Sequence, residues 1–272
     1  MSAATRPVGV FDSGVGGLTV LRALSRALPA ESFLYLGDTA RLPYGTKSAV
    51  TVVRYATRAA EVLVNRGIKA LVVACNTASA AALPALRERF PGLPVVGVVE
   101  PGAQAACDQT STGRIAVLAT ESTVSGGAYQ RAICALRPDS LVTARACQVF
   151  VALAEEGWTS GEVVTAAARR YLDDLFIVPA SSPDTLVLGC THFPVLAPAI
   201  RGVVGPDIRI VDASDAVAAA LGTVLVGQGL AASERAGGIE LLATDGAERF
   251  ARVGATFLGR PIAPQDVQLV DL

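Results

Sequence analysis

Short apolar runs alternate with longer stretches of helical period along most of the chain, and this alternation restricts the fold more than any other feature. Runs at residues 8–11, 32–36, 70–74, 95–98, 115–119, 141–144, 185–188, 209–211 and 240–243 read as strands. Segments 17–28, 48–66, 78–89, 101–109, 122–136, 161–176, 195–203, 214–227 and 247–253 read as helices between them. Strand–helix–strand order implies parallel pairing, because parallel neighbours need a crossover and a helix supplies it. Strands covered on both faces must be apolar on both, and a chain that is 51% hydrophobic and only 17% charged can provide them.

Two of the strand runs end alike. Residues 71–77 read LVVACNT and residues 186–192 read LVLGCTH. Each is an apolar run, a small residue, a cysteine and then polar side chains, followed by a helix-compatible segment. A thiol at the carboxyl end of a parallel strand stands where α/β folds place their ligands. The field of the following helix is expected to lower its pKa below the usual value of roughly 8.5. One such segment falls in each half of the chain. The expected architecture is therefore α/β, with two pseudo-duplicated, doubly wound parallel-sheet domains and the active site in the cleft between them. Residues 1–98 plus 212–272 would form the first domain, with Asp12 and Cys75, and residues 99–211 the second, with Cys190 and His192.

Several classes of function fall away. A formal net charge of −1 with scattered basic residues gives no footprint for nucleic acid or an acidic membrane. The first seven residues lack a charged-then-apolar signal pattern. The most apolar late stretch, 216–230, is broken by Gly222, Gly227, Gln228 and Gly229 and reads as a packed helix rather than a membrane span. Five cysteines without CxxC spacing suit free thiols in a cytoplasmic protein. Cys107, Cys134 and Cys147 have no polar company and read as small buried hydrophobes.

The remaining polar residues at strand ends define a candidate site. Asp12 directly follows the first strand, in the glycine-rich run FDSGVGGLT, which is neither a complete dinucleotide fingerprint nor a Walker loop. The second junction, LGDTARLPYG, offers backbone amides around Pro43, Tyr44 and Gly45 that could hold a carboxylate. Asn76 and Thr77 beside Cys75, and Thr191 and His192 beside Cys190, can anchor an anion at a helix start. Lys47 and Lys69, the only lysines, stand at no strand end suited to a Schiff base, and one histidine with two distant cysteines makes a poor zinc set. No metal or other cofactor is expected. A single cysteine nucleophile would leave the second thiol unexplained. Reversible proton transfer at a stereocentre needs an acid and a base on opposite faces, and two thiols meet that need.

The runs FDSGVGGLTV, LGDTARLPYG, VVACNTASA and VLGCTHFP, in this order, closely resemble those of the glutamate racemases, a cofactor-independent family that makes D-glutamate for bacterial peptidoglycan. The resemblance extends from Val8 to about Asp212. It implies that Cys75 deprotonates D-glutamate with help from Asp12, and that Cys190 deprotonates L-glutamate with help from His192. A further acidic assistant would fall in CQVFVALAE, where Gln148 and Ala152 replace two prolines of the family pattern. Glu155 aligns with it, and Glu156 is the neighbouring alternative. Substrate contacts carry over to Asp12, Ser13, Pro43, Tyr44, Gly45, Asn76, Thr77, Thr191 and His192, with Thr120 and Thr123 also in reach. The resemblance further implies a cytoplasmic homodimer acting on small-molecule glutamate. Aspartate racemase, or another thiol-dependent relative, is the alternative reading.

Overall fold

A computed structural model describes residues 3–177, 181–233 and 237–272; Met1 and Ser2 of the N-terminal segment lie outside them. The strands are β1 (Val8–Asp12), β2 (Phe33–Gly37), β3 (Ala70–Val73), β4 (Val95–Gly97), β5 (Arg114–Ala119), β6 (Leu141–Ala146), β7 (Thr185–Gly189), β8 (Arg209–Asp212), β9 (Ile239–Ala243) and β10 (Val267–Leu269). They form two sheets. One has six strands in the order β10-β9-β2-β1-β3-β4, and the other has four in the order β6-β5-β7-β8. Every pairing in both sheets is parallel. The inner strands β1, β2, β3 and β7 are buried along their whole length, as strands sandwiched between helix layers must be.

The helices are α1 (Leu18–Ala27), α2 (Ala49–Asn65), α3 (Asn76–Arg89), α4 (Val99–Gln109), α5 (Glu121–Ser125), α6 (Ala128–Leu136), α7 (Gln148–Glu155), α8 (Glu162–Leu172), α9 (Ala197–Val204), α10 (Ser214–Gly227) and α11 (Ala247–Leu258). Helix α10, the Ala-rich stretch, packs on α1 and α4. Among the described residues no helix is long and apolar enough to cross a membrane. One apolar core runs between the sheets, joining Val10 and Val72 of the first to Leu118, Phe150 and Leu188 of the second half.

Local chemistry explains where the helices depart from expectation. The single helix expected over 122–136 is two, α5 and α6, because Gly126 and Gly127 interrupt it and Gly127 takes φ +63°. The segment expected as a helix over 195–203 begins with a 3-10 turn, Phe193–Leu196, before α9. The helix expected over 161–176 ends at Leu172 and tightens into a 3-10 turn, Asp173–Leu175. Helix α7 and strand β10 were not anticipated. Of the three cysteines expected to be buried, only Cys147 is; Cys107 is partly exposed and Cys134 is exposed. Cys134 follows the buried Ile133 on an amphipathic helix and therefore faces solvent.

At the amino ends of the strands, away from the cysteines, Lys69 and Glu31 form an ion pair of 2.5 Å with both side chains almost wholly buried. Lys69 Nζ also donates to the Ala4 carbonyl at 2.6 Å, and Glu31 Oε1 accepts from the Ala232 amide at 2.8 Å. The pair thus ties the N-terminal segment, the α1–β2 turn and the segment after α10 to one edge of the six-stranded sheet. Removing one partner leaves a buried charge uncompensated, which costs about 3–5 kcal/mol. Lys69→Met is expected to lower stability by about that amount in equilibrium denaturation, and the double variant Lys69→Met/Glu31→Leu to recover most of it. A single variant as stable as the parent would contradict this account.

Candidate active site

The parallel register decides what meets at the carboxyl edges. Val8 aligns with both Phe33 and Ala70, so β1, β2 and β3 finish together, with Asp12 as the last residue of β1 and Asp38 and Cys75 beyond the ends of β2 and β3. In the second sheet Ala119 aligns with Ala146 and Gly189, so Thr120, Cys147 and Cys190 follow at one level. The two edges face each other across a narrow cavity of about 30 Å³. Ser13, Gly14, Leu42, Pro43, Tyr44, Gly45, Cys75, Asn76 and Thr77 line it from the first sheet. Thr120, Gln148, Val151, Glu155, Cys190, Thr191 and His192 line it from the second. Such a volume holds little more than a water or two.

Cys75 is the N-cap of α3, and its sulfur accepts from the Ala78 amide at 3.4 Å. Burial and the nearby Asp12 charge push the thiol up to about 12, against the Ser13 hydroxyl and the Ala78 N–H, which pull it down. The lowering expected from the helix field is therefore overturned: at this depth, loss of water outweighs the helix start. Asp12 lies behind the cavity wall, 1% exposed. Its Oδ2 accepts from the Gly14 amide at 2.9 Å and the Tyr35 hydroxyl at 3.4 Å. Burial raises its pKa, opposed by the His192 charge and by the amides of Gly17, Gly14 and Ser13.

Cys190 has different company. Its sulfur is 3.9 Å from His192 Nδ1, and His192 Nε2 is 3.1 Å from Glu155 Oε1. Burial alone would lower the imidazole pKa, but bonding to Cys190 and Glu155, and their charges, raise it to about 10. Burial likewise opposes the Glu155 charge, yet His192 and then Arg249 hold that carboxyl below its usual range. Glu156 is an exposed residue at the end of α7 and does not reach the cavity.

Hydroxyl and amide groups complete the walls. Thr77, Thr120 and Thr123 form a triangle, with Oγ1 separations of 2.8 Å from Thr77 to Thr120, 3.2 Å from Thr77 to Thr123 and 3.0 Å from Thr120 to Thr123. Thr123 stands behind the other two rather than on the cavity. Tyr44 donates to Asp38 at 2.6 Å, which pins the Pro43–Tyr44–Gly45 turn, and Tyr129 donates to Asn76 Oδ1 at 2.7 Å. The halves touch closely here. A Cβ on Gly16 would lie 2.5 Å from both His192 Nδ1 and Thr191 Oγ1, and one on Gly45 would lie 2.6 Å from Thr120 Cβ. Thr19 Oγ1 donates across the same contact to the Thr191 carbonyl at 3.3 Å.

Sequence reasoning missed Gly14, Leu42, Gln148 and Val151 on the cavity wall, and Tyr35 and Tyr129 behind it. The available sequence signal for Gln148 is its place in the CQVFVALAE run beside Cys147. Among the described residues no three His, Cys, Asp or Glu side chains gather as metal ligands would. What the cavity offers is two sulfurs brought from different sheets, each with its own titratable neighbour, among donors suited to an anion.

A family model for Asp/Glu/Hydantoin racemase matches residues 8–221. The glutamate racemase of Geobacter metallireducens is 47% identical over 268 residues, spanning 98% of this chain and 97% of that protein. The glutamate racemase of Syntrophus aciditrophicus is 44% identical over 94% of each. Among solved structures, a glutamate racemase isoform from Bacillus anthracis matches with a TM-score of 0.92 at 37% identity, covering 98% of both chains. The Francisella tularensis glutamate racemase, solved in complex with D-glutamate, matches with a TM-score of 0.90 at 33% identity over 98% of both. With its paired strand-end cysteines and these full-length relatives, the chain belongs to the Asp/Glu/Hydantoin racemase family.

Proposed function

We propose that this protein is a glutamate racemase that interconverts L- and D-glutamate by proton transfer between two thiols, without a cofactor. The observation that carries the reading is the delivery of Cys75 and Cys190 into one cavity from two different sheets. A thiolate on one side removes the Cα proton, and a thiol on the other returns a proton to the opposite face. The roles exchange for the reverse reaction. By family resemblance Cys190 serves L-glutamate and Cys75 serves D-glutamate.

The unequal surroundings of the two sulfurs support this assignment. The His192 imidazolium, kept protonated by Glu155, can balance negative charge on Cys190. Cys75, pushed up by burial and Asp12, rests as the thiol that donates. An amino-acid Cα–H is a very weak acid, so the carbanion needs preorganised donors in a dry site. Ser13, Asn76, Thr77, Thr120 and Thr191, with the amides that open α3, are placed to hold the substrate carboxylates, and Asp12 assists Cys75 from behind. A cavity this narrow admits glutamate only when the two halves part. The same reading divides the chain into residues 1–98 plus 212–272 and residues 99–211. It places the protein in the cytoplasm as a homodimer supplying D-glutamate for peptidoglycan.

In D₂O without added cofactor, the protein is expected to exchange the Cα hydrogen of either glutamate enantiomer, as read by proton NMR. Cys75→Ala and Cys190→Ala are each expected to lower racemisation by about 10³-fold or more, as loss of a group acting in a concerted unit does. Full racemisation by either variant would sink the two-thiol reading, and faster turnover of L-aspartate than L-glutamate would overturn the substrate.

His192 is the only histidine, so its ring protons titrate without overlap. Its midpoint is expected near 10 rather than 6.5 and should fall in Glu155→Gln. Because the folded value lies above the unfolded one, the pair's stabilisation is complete below about 6.5 and is lost as pH rises toward 10. A midpoint at or below 6.5 would contradict the imidazolium assignment.

A further inference from the structure

Helix α11 belongs to the six-stranded half of the molecule, yet one of its side chains touches His192 of the other half and a second touches the carboxylate bonded to that histidine. Arg249 donates to Glu155 Oε2 at 2.9 Å, while Glu155 Oε1 is the atom paired with His192 Nε2 at 3.1 Å. Each carboxylate oxygen thus has one partner, and the carboxylate plane is fixed from both sides. About two helical turns further on, the buried Phe257 ring stands edge-to-face with the His192 ring, with centroids 5.1 Å apart. Imidazole rotation is opposed by the carboxylate at one nitrogen and by the phenyl ring against its flank.

The helix is itself anchored. The turn that opens it is clasped to the β2 loop, where Thr39 Oγ1 donates to the Asp245 carbonyl at 2.6 Å and the Thr244 hydroxyl donates to Asp38 Oδ1 at 2.9 Å. Asp38 also receives the Tyr44 hydroxyl. One buried carboxylate therefore holds both the cavity turn and the start of α11.

We propose that Arg249 is a positioning residue for the Cys190 side of the reaction, holding Glu155 so that His192 Nδ1 stays aimed at the Cys190 sulfur, with Phe257 as the second restraint. This inference rests on the two-thiol reading above. Arg249 touches neither the sulfur nor the cavity, and its side chain is half exposed. Without it, the Glu155 carboxylate has no fixed partner on its outer side and can turn toward water. His192 then loses its alignment, and with it the Cys190 thiolate loses a fixed counter-charge. Cys75 keeps all its own contacts, since none of them passes through α11.

The test must respect a constraint of racemisation. The two enantiomers have equal free energy, so kcat/KM falls equally in both directions whichever side is damaged. The asymmetry appears in isotope exchange. From D-glutamate, Cys75 removes the proton normally, but delivery by a misaligned Cys190 is slow. The longer the carbanion waits, the more often the protium left on the Cys75 sulfur exchanges with D₂O; deuterium then returns from Cys75, and labelled D-glutamate accumulates. From L-glutamate, the slow step comes first and no labelled L-glutamate builds up.

Wild type, Arg249→Met, Arg249→Lys, Phe257→Leu and the exposed-site control Arg252→Met are compared in D₂O with each enantiomer, together with their melting temperatures. Arg249→Met is expected to lower kcat/KM about 10–100-fold, the scale of a lost orienting partner. It should raise the exchange-to-racemisation ratio from D-glutamate only. Arg249→Lys restores part of the rate because one charged donor suffices at Oε2, Phe257→Leu shows the same one-sided ratio, and Arg252→Met matches wild type. A kcat/KM for Arg249→Met within twofold of wild type overturns the proposal, as does a ratio raised equally from both enantiomers. Racemisation by Cys190→Ala at the wild-type rate would instead strike the underlying two-thiol reading. Loss in Cys190→Ala with wild-type behaviour in Arg249→Met would strike only the role of Arg249.

Discussion

The molecule depends on one constraint: every strand in both sheets runs the same way as its neighbours. Parallel order sends all carboxyl ends to one edge, so each βα turn adds its polar residues to a single line. Two sheets with such edges, packed through a shared apolar core, put the two lines face to face. Neither cysteine needs an unusual backbone to reach the cavity. Each takes the ordinary position just beyond a buried strand, and Cys75 also serves as a helix cap.

Desolvation sets the electrostatics of what is gathered there. Removing water from Cys75, Asp12, Glu155 and His192 penalises the charged form of each, so the partners of each group decide its state. Asp12 adds negative charge beside Cys75 and reinforces the effect of burial. Bonding to Cys190 and Glu155 reverses it at His192, and His192 with Arg249 holds the Glu155 carboxyl below its usual range. The two sulfurs are related by topology and distinguished by their neighbours. That difference is what a reaction with an acid on one face and a base on the other requires.

Much of this arrangement could be read from the chain. Period and run length locate most strands and helices, and the echo between LVVACNT and LVLGCTH singles out the two thiols. The less legible features depend on three-dimensional context. The break between α5 and α6 rests on Gly127 adopting a left-handed conformation, which a helical period does not reveal. The pKa direction of Cys75 depends on burial depth and on Asp12, more than sixty positions earlier, so the local helix start pointed the wrong way. In the sequence Gln148 stands out only as a departure from a motif, and its place on the cavity wall comes from the fold. Arg249 and Phe257 come from a helix beyond every recognisable motif, and only packing brings them to His192. Cys134 shows the same limit in reverse, since its helical face decides its exposure.

Gly16 is a point of contact between the halves. Backbone of one half rests directly against the Thr191 and His192 side chains of the other, with no space for even a methyl group. The position acts as a stop whose thickness is that of a bare peptide. It sets the spacing of the halves beside Cys190, and so how little room is left in the cavity. The narrowness of this cleft thus rests partly on a missing atom.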